Sequence, residues 1–360
     1  MRKWYNTVFL YAILVLFFVV SCKSTPKEAE TETVPPAASV SQASLDALDQ
    51  AAARAEQARK RALDFSAGSY FPSDWEAVEA KYTSAGNQSR ATEDEVQQTA
   101  ALYNEAAVTY DDLFKKAVPL FAKDREDEIV AARNEVITTG FGGAYLEYVR
   151  KADQSAVQAL AQYDAEDYYA AKDTAAVTLA MYQTLKTGAD AYSARQEIVR
   201  RGFVAFDSEN FARAEEIAVA AINNYENGNI SQAQNEAEEA GLRYNLVLKA
   251  GWRSFASERA DVAAADRQKA LDLKANIAVR DDFNAAQDVY NRAQAAFRSE
   301  KYDDATIFYT NAAARFAAVS ETAAEKRRIA EEAIKEAEEK ISESDENARQ
   351  AEIIIEGGDQ

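Results

Sequence analysis

The chain has 360 residues, 48% of them hydrophobic, with 41 Lys plus Arg against 60 Asp plus Glu, no histidine and one cysteine. That is enough for two or three ordinary domains, while the missing histidines exclude a Cys/His zinc site, a Ser-His-Asp triad and a Cys-His dyad. A net charge of -19 argues against nucleic acid as a partner, because affinity for phosphate comes from Lys and Arg.

At the N-terminus, Arg2 and Lys3 precede an apolar run from Val8 to Val20 that ends in Val19-Val20-Ser21-Cys22. The run is too short to span a hydrocarbon core of about 30 Å as a helix, but it suits the apolar region of a signal peptide. The arrangement resembles a bacterial lipoprotein signal, and Val19-Val20 before Ser21 is similar to the relaxed signals of spirochaetal lipoproteins. The resemblance implies cleavage before Cys22, acylation of that cysteine and a folded part exported on a cell or outer membrane; an uncleaved signal anchor is the alternative. Each buried CH₂ contributes about 0.8 kcal/mol, so two or three acyl chains would hold the protein durably. Residues 1–21 are therefore assigned as signal peptide. Residues 22–42, with Pro26, Pro35 and Pro36 among Glu and Thr, are assigned as a disordered tether.

All five prolines lie at or before Pro119, and the remainder is rich in Ala, Glu, Lys, Gln and Arg without a strand-like alternation. The expected fold is all-α. An internal repeat supports this. Tyr225-Glu-Asn-Gly228-Asn229-Ile230 leads through Ala233, Ala237 and Ala240 to Tyr244. Tyr163 to Ala171 leads likewise to Tyr182, Phe297 to Ala305 leads to Phe316, and a diverged copy from Val96 leads to Tyr110. The terminal aromatics Tyr110, Tyr182, Tyr244 and Phe316 fall 72, 62 and 72 residues apart.

Each copy reads as a helical hairpin, with Val149, Phe211 and Phe283 nineteen residues ahead of Tyr168, Ile230 and Tyr302, and Trp75 twenty-one ahead of Val96. The first turn is thus expected to be two residues longer. Long second helices are predicted from Asp167 to about Arg201, from Ile230 to about Ala275 and from Tyr302 towards Ala351. Ser73, Asp207 or Ser208, and Asp281 are predicted N-caps, and Thr92-x-x-Glu95 is a capping box. The turn [Tyr/Phe]-x-x-[Gly/Glu]-[Asp/Asn/Lys]-[Tyr/Ile]-x-x-Ala resembles that of tetratricopeptide repeats, although the period departs from their 34 residues. Together with the lipoprotein signal, these units are similar to helical lipoproteins of treponemes, including the treponemal membrane antigens. The expected architecture is an elongated array of four such hairpins over residues 43–320, alternating short and long helices, with a charged C-terminal helix over 321–360.

In that last helix Ile334, Ile341, Ala348 and Ile355 recur every seven residues, flanked by Ala330, Ala337, Ser344 and Ala351. This weak heptad seam predicts either an extension packed on its own domain, or self-association or a partner helix.

Other constellations point away from chemistry. Gly140-Phe-Gly-Gly143 matches no phosphate-binding loop and reads as a helix stop. The basic clusters Arg59-Lys60-Arg61, Arg200-Arg201 and Lys326-Arg327-Arg328 read as solvated faces or helix-end charges, with a phosphate or acidic-glycan contact as the alternative. Glu pairs such as Glu215-Glu216 have no framework to split their pKa values, and no calcium loop occurs. No metal or cofactor is expected. A helical lytic transglycosylase would need only one Glu, yet Glu343-Ser344 is followed by Asp345-Glu-Asn-Ala in place of the Gly-rich segment of that family.

Tyrosine combines apolar area with a hydroxyl and suits contact faces. Tyr145, Tyr169 and Trp252, which lie off the repeat stripe, are the candidate binding residues. The expected function is a lipid-anchored, non-enzymatic envelope scaffold or protein-binding module. A carrier of an apolar or peptide ligand held between helices is the second reading, and a peptidoglycan-acting enzyme a remote third.

Overall fold

The structure, a computed structural model, describes residues 40–139 and 145–357. The signal segment with Cys22, residues 22–39 of the tether and the Gly140–Gly143 loop lie outside the described residues.

Among the described residues there is no strand. In chain order the helices are α1 (Gln42–Asp64), α2 (Ala67–Tyr70), α3 (Pro72–Asn87), α4 (Glu93–Thr138), α5 (Leu146–Asp164) and α6 (Tyr168–Arg201). A 3₁₀ turn over Phe203–Phe206 precedes α7 (Ser208–Glu226), α8 (Ile230–Asp272), α9 (Ala275–Ala278), α10 (Arg280–Arg298) and α11 (Tyr302–Gly357). The long helices α6 and α8 start and stop within three residues of the predicted positions. α1 begins at Gln42, the last residue assigned to the tether, because Ser41 caps it and accepts from the Ser44 amide at 3.2 Å.

The chain forms two compact units that divide after Phe114, inside α4. In the first unit, ring pairs Trp75–Tyr110 (5.3 Å between centroids) and Tyr82–Tyr103 (5.5 Å) join α3 to α4. In the second unit α5 packs on α6, α7 on α8 and α10 on α11, and α8 also packs against α6 and α11. Within the last pair, Phe297 meets Tyr302 across the turn and Phe283 meets Phe316 farther along, so the two helices run antiparallel. Small buried residues, such as Ala256, Ala263 and Ala270 on α8, let the backbones approach, and the aromatic rings fill the wider gaps.

Local chemistry sets the breaks. Short and long helices are joined through a single residue in the left-handed region, Glu166 (φ 60°), Gly228 (φ 80°) and Glu300 (φ 61°). A non-glycine residue there costs about 1–2 kcal/mol, which the helix packing on either side must offset. Gly251 answers to a different demand, since a Cβ on it would lie 2.3 Å from the ring of Phe203. Phe203 is fully buried on that spot, edge-on to Trp252 and Phe255.

The capping box is present: the Glu95 amide donates to Thr92 Oγ1 at 3.3 Å and the Thr92 amide to Glu95 Oε2 at 3.0 Å. Asp207 caps α7 by accepting from the Asn210 amide at 3.2 Å. Ser73 and Asp281 are not caps. Both fall inside the first turn, after Phe71 and Val279, because the preceding helical turns α2 and α9 carry the chain directly into α3 and α10.

α11 runs without interruption across residue 320. Ala323 is its last buried residue among those described, and Ala324 to Glu352 are all exposed, including Ile334 (58%) and Ile341 (62%). Beyond the bond from Lys326 to the Ala278 carbonyl at 2.9 Å, the expected packing of this extension on its own domain is not seen, since its side chains from Ala324 to Glu352 stay exposed.

Candidate functional site

One constellation recurs at each break between a long helix and the next hairpin. Arg195 on α6 holds Glu215 on α7 with two parallel bonds, Nε to Oε1 at 2.6 Å and Nη2 to Oε2 at 2.9 Å. The Tyr244 hydroxyl on α8 donates to the same Oε1 at 2.5 Å. Arg133, Asp153 and Tyr182 repeat the arrangement across α4, α5 and α6, with Arg133 Nε 2.7 Å from Asp153 Oδ1 and Tyr182 donating to that same oxygen. In the first unit Arg59 Nε lies 2.6 Å from Glu79 Oε1, and Tyr110 donates to that oxygen at 2.7 Å. Each clamp ties three helices through one carboxylate. The forked guanidinium suits the role because it makes both bonds in one plane.

At the fourth position Arg267 Nε donates to Gln287 Oε1 at 2.6 Å, and Phe316 takes the place of the tyrosine. Carboxylate and hydroxyl are absent together, which fits their chemistry: without the charged acceptor, a buried phenol has less to donate to.

Charge in the three full clamps behaves as this geometry requires. The Arg59, Arg133 and Arg195 guanidinium bonds hold Glu79, Asp153 and Glu215 below the usual carboxylate range, against the opposing pull of partial burial. Burial, reinforced by the carboxylate, pushes Tyr110, Tyr182 and Tyr244 well above an ordinary phenol. A carboxylate held ionised and a phenol held neutral form a structural joint, with no proton poised to move near neutral pH.

The third clamp also forms a wall of a groove of about 350 Å³ between α5, α6, α7 and α8. Tyr145, Tyr148 and Tyr192 line one side, and Ala191, Ala218 and Ala240 leave room among them. Gly188 opens it further, because a Cβ there would meet nothing within 4 Å. Tyr145 lies 5.9 Å from Tyr148 and 5.5 Å from Tyr192, centroid to centroid. At the back, the Tyr225 hydroxyl donates to the Tyr148 carbonyl at 3.1 Å, and the Tyr148 hydroxyl donates to Glu226 at 2.8 Å. Burial and that carboxylate push Tyr148 up to about 12. The lining is mostly apolar, with ring edges and the Arg195–Glu215 pair as its polar features, a composition suited to an apolar or aromatic group.

Of the three candidate binding residues, Tyr145 lines this groove. Tyr169 stands half-exposed in the first turn of α6, away from it. Trp252 packs between two apolar clusters, beside Phe203 and under the Arg201 guanidinium at 4.0 Å, and borders a second, more open groove with Arg259 and Thr306.

The basic clusters are paired. Arg59 is the clamp arginine, Lys60 meets Asp64, Arg61 meets Asp111, and Arg200 and Arg201 both meet Glu197. Arg327 meets Glu331, and Arg328 bridges Glu325 and Glu332. Among the described residues no cluster of carboxylates could hold a metal ion. Glu343 and Ser344 are both exposed on α11.

Among known proteins, the chain is similar to Treponemal membrane protein A of Treponema phagedenis, 23% identical over 203 residues. The match covers 56% of this chain and 58% of that protein's length. No known protein family matches the chain, and no solved structure matches it. The similarity is a distant and partial relationship to a treponemal membrane protein. Among the described residues no helix is long and apolar enough to cross a membrane.

Proposed function

We propose that this chain is a membrane-anchored, non-enzymatic helical-repeat lipoprotein that serves as an envelope scaffold or protein-binding module, held by acyl chains on Cys22. The observation that carries this reading is the clamp built three times over, with its frame repeated at a fourth joint by Arg267, Gln287 and Phe316. The clamp arginines and carboxylates are committed to joining helices, which supports an array of tetratricopeptide-like hairpins, and repeats of that kind offer extended faces to partners. The relationship to a treponemal membrane protein supports the membrane setting. Crosslinking and mass spectrometry of the native envelope tests the module: a reproducible set of partners is expected. Recovery of no partner, with wild-type envelope integrity after deletion, would overturn it. Anchoring is tested separately, since Cys22→Ala should abolish lipid labelling and move the chain out of the membrane fraction or leave its precursor unprocessed.

The tyrosine-lined groove favours a second reading, a carrier for an apolar or aromatic ligand, with Tyr145, Tyr148 and Tyr192 as its contact rings. Native mass spectrometry of the purified protein should then show a bound small molecule that Gly188→Leu expels. A ligand-free wild-type protein would remove this reading.

A further inference from the structure

We infer that the C-terminal half of α11 pairs two copies of this chain as a parallel two-stranded coiled coil. Beyond Ala323 nothing in the described structure covers this helix, and how its charges are arranged indicates what does. With Ile334 and Ile341 at the first position of a heptad, and Ala330, Ala337 and Ser344 at the fourth, the seam carries no charge from Ala330 to Ala351.

The face opposite the seam is already satisfied within the helix. Arg328 pairs with Glu325 and Glu332, Lys335 with Glu339, and Arg349 with Glu346, all three or four residues apart. Such pairs support an isolated helix by a few tenths of a kcal/mol each, so the helix stands without a partner while its apolar stripe stays open.

The residues flanking the seam choose the partner and its direction. On one side stand Glu331, Glu338, Asp345 and Glu352, all acidic; on the other stand Lys326, Ala333, Lys340 and Asn347, none acidic. In an antiparallel pair each flank meets its own kind, setting four acids against four acids. In a parallel pair each flank meets the other, so Lys340 faces Asp345 of the second copy and no acid faces an acid. Lys326 already donates to the Ala278 carbonyl at 2.9 Å and Lys340 pairs with Glu336 of its own helix at 2.7 Å, so the direction is set chiefly by keeping the acidic flanks apart, with Lys340 shared between Glu336 and Asp345 of the second copy. The isoleucines are the β-branched residues that parallel two-stranded coils carry at the first heptad position, here with Ala and Ser in place of Leu at the fourth.

The test uses the full chain in the membranes of expressing cells, with single added cysteines, an oxidant and non-reducing gels. Ser344→Cys, on the seam, should give a product of twice the chain's mass at about tenfold the yield of Glu339→Cys on the outer face, because a disulfide forms only where the Cα atoms come within about 7 Å. The unaltered chain, with Cys22 alone, sets the background. Adding Ile334→Asp and Ile341→Asp to Ser344→Cys should abolish the product without changing the helical circular dichroism, and adding Lys340→Glu should reduce it several-fold. No product from Ser344→Cys, equal yields from the two cysteines, a product whose mass is not twice the chain's, or indifference to the aspartates would overturn the pairing. Indifference to Lys340→Glu would overturn its parallel direction.

Discussion

The joint between α6, α7 and α8 and the joint between α8, α10 and α11 are built on the same frame with different chemistry. In both, an arginine near the end of a long helix reaches an acceptor twenty residues later, and an aromatic ring twenty-nine residues beyond that is fully buried between the helices. In one the acceptor is Glu215 and the ring carries a hydroxyl; in the other they are Gln287 and Phe316. The difference separates two contributions that the full clamp mixes. Packing of the ring is common to both joints, whereas the charge and the hydroxyl belong to one.

The largest expected effect falls on what the joints share. Tyr244→Ala and Phe316→Ala should each destabilise their hairpin by about 3–5 kcal/mol, since both delete a fully buried ring. Hydrogen exchange of α8 and α11 amides measures each locally; a much smaller loss at Phe316 would show that the two joints are not equivalent in packing.

Next comes the acceptor. Glu215→Ala strands Arg195 and the buried Tyr244 hydroxyl together and should cost about 1–2 kcal/mol, in the lower part of the range for charged hydrogen bonds because the carboxylate is about one third exposed. Gln287→Ala removes one neutral acceptor and should cost less, about 0.5–1 kcal/mol. Equal losses in chemical denaturation would refute the view that the carboxylate is the centre of the full clamp.

Acidification should separate the joints without mutation. Glu215 is held below its ordinary range in the folded state, so its contribution is complete above the unfolded value near 4 and is lost as pH falls through the lower folded value. Glu79 and Asp153 follow the same sign. Gln287 cannot titrate. Amides flanking Arg195 and Tyr244 should therefore lose protection as pH falls below about 4 more steeply than those flanking Arg267 and Phe316. Parallel loss at both joints would contradict the assignment.

How much of this could be read from sequence depends on the kind of signal. The all-helical class and the helix limits at Arg201, Ile230 and Tyr302 were legible because apolar spacing and the turn around Gly228 or Glu300 are local patterns. The aromatics Tyr110, Tyr182, Tyr244 and Phe316 stood out for the same reason. Their partners did not. Arg195 and Glu215 lie on either side of a break, Arg59 sits in what reads as an ordinary basic cluster, and each clamp acid is one of 60 in the chain. Only the recurrence of arginine, then acid or amide twenty residues later, would have disclosed them, and that pattern becomes visible once the terminal aromatics are aligned. Tyr145 was identifiable as an off-stripe aromatic, but Tyr148, Tyr192 and the opening at Gly188 depend on how α5 and α6 meet α7 and α8, which no single helix encodes.

The smallest effects come from converting one joint into the other. Phe316→Tyr alone adds a hydroxyl at a joint whose acceptor, Gln287 Oε1, already takes the Arg267 bond; Gln287 Nε2 donates onward to Asn291 at 2.9 Å. It should change stability by no more than about 0.5 kcal/mol in either direction. Gln287→Glu alone restores the charge-assisted bond to Arg267 but leaves the ring without a donor. Combined, the two changes rebuild the third clamp at the fourth position, and a double-mutant cycle should return a favourable coupling of about 1 kcal/mol. The rebuilt joint should acquire the acid sensitivity that Glu215 confers. A coupling of zero, with no new acid dependence, would mean that the tyrosine hydroxyl and the carboxylate act independently, and that the pairing seen in three joints adds nothing to the packing of the ring.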